Sequence, residues 1–301
     1  MQKIKVGIVG LGNLGLAVKN IVQNHPNFEL VATFSRRKLA SCENYENIEK
    51  YIGKIDLLFL CVGSQNDLEA VSEKLIKNFN IVESYDNHSK LKAHISKMDL
   101  LAKQHNKIAI CSMGWDPGLF SLMRGLFDAL GYNSHTFWGK GLSQGHTQAI
   151  KNLPNVTDAL QFTIPNKSTK RKVVRGKNVD SNLKHKRLCY VVCGKEHKQK
   201  IKQQIVSIPN YFLGQKTIVK FVTQNKLNHL KNFAHCGEIL TAHKTLQFSL
   251  KLKSNPIFTA TVLVAFAKNY INLKTQQLYG AHTIFDLPLS NILPKSKFEY
   301  L

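Results

Sequence analysis

Over the first 115 residues, short apolar runs alternate with stretches of helical period. Ile4 to Val9, Phe28 to Phe34, Asp56 to Val62, Ile81 to Tyr85 and Ile108 to Ser112 are rich in β-branched and aromatic residues and predict strands. Asp56-Leu57-Leu58-Phe59-Leu60-Cys61-Val62 is apolar almost without interruption, as in strands covered on both faces. Between these runs, Leu16 to Gln23, Leu68 to Phe79 and Leu91 to Gln104 predict helices, the second with Asp67 as its N-cap. Lys38 to Lys54 is polar and predicts loop and short helix. Strands and helices alternating at this spacing predict an α/β, doubly wound parallel sheet of Rossmann type.

The pattern changes after Gly114-Trp115-Asp116-Pro117-Gly118, where Asp116 can cap a helix with Pro117 at its first position. Asn133 to Gly145, Ala159 to Pro165, Arg187 to Cys193, Ile218 to Thr223 and Glu238 to Leu252 predict strands of a second, mostly antiparallel sheet. Asn166 to Asn182, polar and Lys-rich, predicts a surface loop. Asn255-Pro256 opens an apolar helix from Phe258 to Leu273, long enough to pack back on the first domain. A chain of 301 residues fits two domains at about 100–200 residues each. The expected division is 1–115, completed by 255–301, and an α+β domain over 116–254.

Gly10-Leu11-Gly12-Asn13-Leu14-Gly15 joins the first strand to the first helix, which is the context in which G-x-G-x-x-G signals dinucleotide binding. Gly10 permits the tight turn, Gly12 lets the backbone approach a diphosphate, and Gly15 lets helix pack on strand. The helix dipole then favours the negative charge. An acid that reads the ribose is expected ~20 residues past the glycines. The chain has Ser35-Arg36-Arg37 there instead. Guanidinium groups match phosphate oxygens in bidentate fashion, so this end selects NADP over NAD. Only six of the 42 Lys and Arg residues are Arg, and two stand adjacent here, which argues against a merely solvated basic turn. Ligands lie at the carboxyl ends of such strands, which places Cys61, Val62, Gly63 and Ser64 beside the nicotinamide and Asp86 and Asp116 on the same side.

The formal charge of +23 invites a nucleic-acid reading. The cations are mainly Lys, scattered, with no interleaved aromatic platform, so a compositional bias is the simpler account and only nonspecific polyanion binding is expected. Cys42, Cys61, Cys111, Cys189, Cys193 and Cys236 form no C-x-x-C pair and read as reduced thiols. No His, Cys and Asp residues stand at ligand spacing, so no metal is expected. The first strand begins almost at once, leaving no room for a signal peptide, and no apolar run approaches the ~20 residues of a membrane span. A soluble, cytoplasmic protein is expected.

In order, Val9 to Gly15, Phe34 to Arg37, Leu58 to Ser64, Tyr85-Asp86-Asn87-His88, Gly114 to Gly118, His135-Thr136-Phe137-Trp138-Gly139-x-Gly141 to His146, His185-Lys186-Arg187 and Asn255-Pro256 resemble the meso-diaminopimelate dehydrogenases. The likeness covers nearly the whole chain, and its 135–146 block is specific where the glycine fingerprint is not. It implies an NADP-dependent, homodimeric enzyme that removes hydride from the D-configured carbon of meso-2,6-diaminopimelate. The imine hydrolyses, ammonia departs, and L-2-amino-6-oxopimelate cyclises to tetrahydrodipicolinate. The reverse reaction fixes ammonia for lysine and cell-wall synthesis. By the same resemblance Asp86 and Asp116 hold the D-centre amino group, and Asn87 and His88 join the cofactor contacts with Asp86. Trp138 walls the D-end. Gly139 to His146, with Gln144, Gly145 and His146 as contacts, forms a closing loop, and Thr163, Arg187, His235 and Asn255 hold the L-centre. The stretch Asn232 to Glu238 departs from the family, which usually has Pro before the His and a Gly and second His after it. The chain is also shorter than usual between Thr223 and Lys251, so distal specificity is the part that departs most. Two rivals stand beside this reading. A non-catalytic NADP-binding sensor has no need of Asp86, Asp116, Arg187 and Asn255 together. A reductase of the dihydrodipicolinate type lacks the Trp138 block.

Overall fold

The computed structural model describes residues 3–40, 42–63, 67–230 and 235–301. It contains one compact unit of Met1–Leu122 with Asn255–Leu301 and a second of Met123–Ser254. In the first, β1 (Ile4–Val9), α1 (Asn13–Gln23), β2 (Phe28–Ser35), β3 (Glu43–Asn44), β4 (Leu57–Leu60), α2 (Leu68–Leu75), β5 (Asn80–Glu83), α3 (Leu91–Gln104) and β6 (Ile108–Ile110) alternate. α4 (Leu119–Ala129) then carries the chain out of it. Every residue of β4 is buried, which is why its sequence is apolar without a polar alternation.

Several boundaries differ from those the sequence predicts. α1 begins at Asn13 rather than Leu16, because Gly12 itself takes the extended N-cap conformation. α2 ends at Leu75 rather than Phe79, and Asp67 makes no capping bond; its carboxylate pairs with Arg36 instead. The 38–54 stretch holds the edge strand β3 and a 3-10 turn, Tyr45–Tyr51, whose amide of Glu46 donates to the Asn44 side chain. No helix starts at Pro117. α4 starts two residues later, and its first amides at Leu119 and Phe120 donate to the carbonyls of Gly114 and Trp115.

The second unit holds β7 (His135–Trp138), β8 (Gly141–Leu142), α5 (Gln144–Lys151), β9 (Val156–Pro165), α6 (Lys167–Val174), β10 (His185–Cys193), α7 (Lys198–Ser207), β11 (Lys216–Phe221), α8 (Gln224–His229), β12 (His235–Leu240) and β13 (Gln247–Leu252). These strands make two sheets, not one: β11-β10-β9-β8, parallel only between β10 and β11, and the antiparallel β13-β12-β7. The 133–145 run therefore splits, its first half joining one sheet and its second the other. The 238–252 run is a hairpin. The expected surface loop at 166–182 contains α6. Asn166 caps it by accepting from the Ser168 amide, and Thr169 and Val173, four apart, turn inward. Val173 packs with Phe137 and Leu240. The Lys-rich outer face hides that stripe in the sequence.

The chain then returns to the first unit as α9 (Asn255–Ala267), α10 (Tyr270–Thr275) and β14 (Gly280–His282). The single helix expected over 258–273 is broken at Asn269, which is fully buried and whose side chain donates to the carbonyl of Phe266 and accepts from Asn291. β14 completes a seven-stranded sheet in the order β14-β6-β5-β4-β1-β2-β3, parallel throughout. α9 packs against α1, with Ala260, Leu263, Val264 and Ala267 in one core with Ala17, Val18 and Val22. The strand order reverses between β1 and β4, the switch point at which doubly wound sheets open a crevice. Among the described residues no helix is long and apolar enough to cross a membrane.

In the second unit a hydrogen bond from the Trp138 amide to Nε2 of His185, at 2.7 Å, ties the two sheets. Nε2 must stay unprotonated to accept it. Burial, then the charges of Arg187 and Lys184, push this imidazole from 6.5 down to about 3. Below pH 6.5 the unfolded chain takes up a proton that the folded chain refuses, so the stability is whole above 6.5 and falls as the pH drops toward 3. The slope is about 1.4 kcal/mol per pH unit for one such group. Denaturant unfolding between pH 6.5 and 4.5 is expected to show this loss, with part of it absent in His185→Gln. Equal slopes in the two proteins would remove His185 as its source.

Candidate active site

The glycine turn leaves β1 and enters α1. Gly10 has φ of +91°, and a Cβ there would lie 2.8 Å from the carbonyl oxygen of Cys61. A Cβ on Gly15 would lie 1.9 Å from the carbonyl oxygen of Gly10. The chain's own packing demands both glycines. Gly12 is different: nothing within 4 Å would meet its Cβ. The chain's own packing places no demand for glycine there. The amides of Asn13, Leu14 and Gly15 open α1 with no side-chain cap, as an anion-binding helix start does.

Across the turn, the end of β2 lines a cavity of about 310 Å³ with Ser35, Arg36, Arg37, Lys38, Leu39, Ala40, Cys42 and Asn44. No carboxylate is among them. Arg37 reaches back so that its guanidinium donates to the Leu11 carbonyl at 3.4 Å, and its amide donates to the Ser35 hydroxyl at 3.0 Å. Arg36 meets Asp67 at 2.9 Å in an exposed pair, which contributes little by itself. At the end of β4, Cys61 is buried and burial pushes its thiol far up, which leaves it an inert wall. Val62 and Gly63 follow it; Ser64 lies outside the described residues.

The ends of β5 and β6 bring two further loops together. Asp86 is exposed, Asn87 accepts from the Ser89 hydroxyl at 2.7 Å, and Nε2 of His88 lies 3.7 Å from Oδ2 of Asp116. The Asp116 side chain is only 10 % exposed. Beneath them Glu83, His94 and Cys111 are all buried, with their donor atoms within 4.8 Å of one another. Their spacing in the sequence gives no sign of this, since a strand, a helix and a strand end contribute one residue each. It is the donor set of a metal site on paper. However, burial and the Glu83 carboxylate hold the Cys111 thiol well above its usual value, and both Glu83 oxygens already accept hydrogen bonds.

In the second unit a polar cluster gathers on β9 and β10. Arg187 donates to the Thr163 hydroxyl at 2.9 Å, and its buried Nε has no partner among the described residues. Burial presses its guanidinium down from the usual value. Gln161, fully buried, donates to the same hydroxyl at 3.4 Å, while its Oε1 has no partner among the described residues. Sequence reasoning missed Gln161; its signal is the two-residue step to Thr163 along one face of a strand. Nδ1 of His146 lies 2.8 Å from the Ser143 hydroxyl, and burial, then Arg187, push that imidazole down to about 3. Trp138 ends β7 opposite Gly237.

The expected closing loop is not a loop throughout. Gly141 and Leu142 pair with Thr163 and Phe162, and from Gln144, which is exposed, through Gly145 and His146 the backbone is helical. His235 opens β12 opposite Leu252, its imidazole lowered by burial. The altered stretch before it, 232–234, lies outside the described residues. Asn255 begins α9 and accepts from the Thr259 hydroxyl at 3.2 Å.

Residues 114–254 match the diaminopimelic acid dehydrogenase C-terminal domain. The chain is 38 % identical to the meso-diaminopimelate D-dehydrogenase of Lysinibacillus sphaericus over 317 aligned positions, covering 98 % of this chain and 97 % of that one. Its structure is similar to that of the Corynebacterium glutamicum diaminopimelate dehydrogenase in complex with diaminopimelate, with a TM-score of 0.91, 32 % identity and 99 % and 98 % of the two chains covered. An engineered D-amino acid dehydrogenase bound to NADP⁺ superposes with a TM-score of 0.85 at 31 % identity, over 99 % and 98 % of the chains. The chain belongs to the meso-diaminopimelate dehydrogenase family.

Proposed function

We propose that this protein catalyses the NADP-dependent, reversible oxidative deamination of the D-centre of meso-2,6-diaminopimelate. The products are L-2-amino-6-oxopimelate and ammonia, and the enzyme works as a cytoplasmic homodimer. The observation that carries the reading is Arg187: a half-buried guanidinium whose buried Nε has no partner among the described residues. A buried cation with no acid beside it is costly unless an anion arrives. A planar fork of donors fits a carboxylate. Diaminopimelate brings one at each end, together with two ammonium groups.

The cofactor end fits NADP. The turn leaves space at Gly12, and the cavity at the end of β2 is lined by Arg36, Arg37 and Lys38 with no acid in its lining, Asp67 being paired with Arg36. NADP⁺, when bound, accepts the hydride from the D-centre carbon. The chain's own part is to hold that carbon in line, which is where much of such a rate enhancement arises. Asp86 and Asp116 hold the D-centre ammonium, and one of them, directly or through water, takes its proton as the C–N bond becomes an imine. Water adds to the imine, the same acids steady the added proton, and ammonia leaves. Trp138 walls the D-end. Thr163 and Arg187 take the L-centre carboxylate, with His235 and Asn255 at the L-centre and Gln144, Gly145 and His146 completing the substrate contacts.

The direct test follows reduced nicotinamide absorbance with NADP⁺ and meso-diaminopimelate at alkaline pH, with NAD⁺ and the L,L-isomer as controls. A rise confined to NADP⁺ and the meso compound is expected. A flat trace from protein that still binds NADPH would favour a sensor. Asp116→Ala is expected to lower kcat by about 100-fold or more, the range for a lost proton-transfer group, while NADPH affinity holds. Near-normal turnover would end its assigned role. Arg36→Asp with Arg37→Ala is expected to raise KM for NADP⁺ by about tenfold or more, or roughly 1.4 kcal/mol, with NAD⁺ little affected. Equal effects on both cofactors would refute the 2′-phosphate assignment.

A further inference from the structure

We infer that Glu83 is a positioning residue that fixes the two acid-bearing loops relative to each other. This rests on the reading of Asp86 and Asp116 given above. Glu83 ends β5, is fully buried, and spends its carboxylate on backbone. Oε2 accepts from the Tyr85 amide, one residue before Asp86. Oε1 accepts from the Ser112 amide at 3.2 Å, four residues before Asp116. The Glu83 carbonyl accepts from the Met113 amide at 2.9 Å. A single side chain thus holds the loops after β5 and β6 at once.

The clamp is itself held. Nε2 of His94 lies 3.1 Å from Oε1, and the His94 ring stacks on Tyr85 with centroids 4.0 Å apart and planes 19° from parallel. Tyr85 is 1 % exposed, so this stack is core. Ser112 has φ of +60°, a left-handed conformation that a non-glycine residue keeps only when its surroundings hold it. The hydrogen bond that the Ser112 amide donates to Glu83 is one such hold. A carboxylate suits the place because it is acceptor-only. An amide side chain would set an N–H₂ against one of two backbone N–H donors.

Glu83→Gln is expected to lower kcat with meso-diaminopimelate by about 10- to 100-fold, the scale of a sub-ångström to one-ångström misplacement, while KM for NADP⁺ stays unchanged. It is also expected to speed amide hydrogen exchange together at 85–90 and at 112–118. Val22→Ala, a core truncation at the end of α1 in the other core cluster of the first unit, serves as the control for lost stability alone and is expected to move neither readout in this pattern. Unchanged kcat, or exchange that quickens at one loop only or equally in Val22→Ala, overturns the proposal. Should Glu83→Gln not fold, His94→Phe keeps a ring on Tyr85 and removes the nitrogen at Oε1. The same two shifts, smaller, are then expected, and their absence overturns the proposal. If the wild-type protein turns over no diaminopimelate, the functional reading fails, and the exchange at the two loops still decides the clamp.

Discussion

The first unit is built on the contact of Gly15 with the carbonyl of Gly10, where no side chain can stand. It seats α1 directly against the ends of β1 and β4. With α1 fixed, α9 has a surface to cover, and the core of Ala17, Val18, Leu263 and Ala267 closes. The same contact points the free amides of α1 at the switch point of a sheet whose strands all run one way. Parallel strands put every carboxyl end on one side. Cys61, Asp86 and Asp116 therefore share an edge without any of them being neighbours in sequence.

How far the chain was legible depended on whether burial left a period in it. β4, covered on both faces, is unmistakable in sequence because every position is apolar. α6 was invisible because two inward residues, Thr169 and Val173, are outvoted by Lys167, Lys170, Arg171 and Lys172. The glycine turn and Ser35-Arg36-Arg37 were readable because their chemistry is local. Glu83 was not, since it acts through an amide brought by a different loop, and Gln161, though on the same strand as its partner Thr163, is marked only by the burial that the fold supplies. Family likeness supplied Arg187 as a candidate. Its buried Nε, without a partner among the described residues, came only with the fold.

The two polar regions solve opposite problems. Around Glu83 each carboxylate oxygen has a donor, so the group is a finished part of the scaffold. Around Arg187 the donors and acceptors are left over, and the neighbouring imidazoles of His146 and His185 are held neutral at ordinary pH by burial and by that same cation. Neutral rings add no competing charge beside the guanidinium. The cluster surrounds Arg187 with groups that can turn either way in a hydrogen bond.

The interruption of the first unit sets an order of assembly. Its sheet lacks an edge until β14 is made, and α1 lacks its cover until α9 is made, yet all of Met123–Ser254 is synthesised in between. The N-terminal strands thus wait, with one helix face and one strand edge open, while the intervening unit emerges and can close on its own core. A nascent chain in that state exposes apolar surface of the kind chaperones engage. The first unit therefore depends for its completion on the last segment of the chain, although most of its strands come first in the sequence.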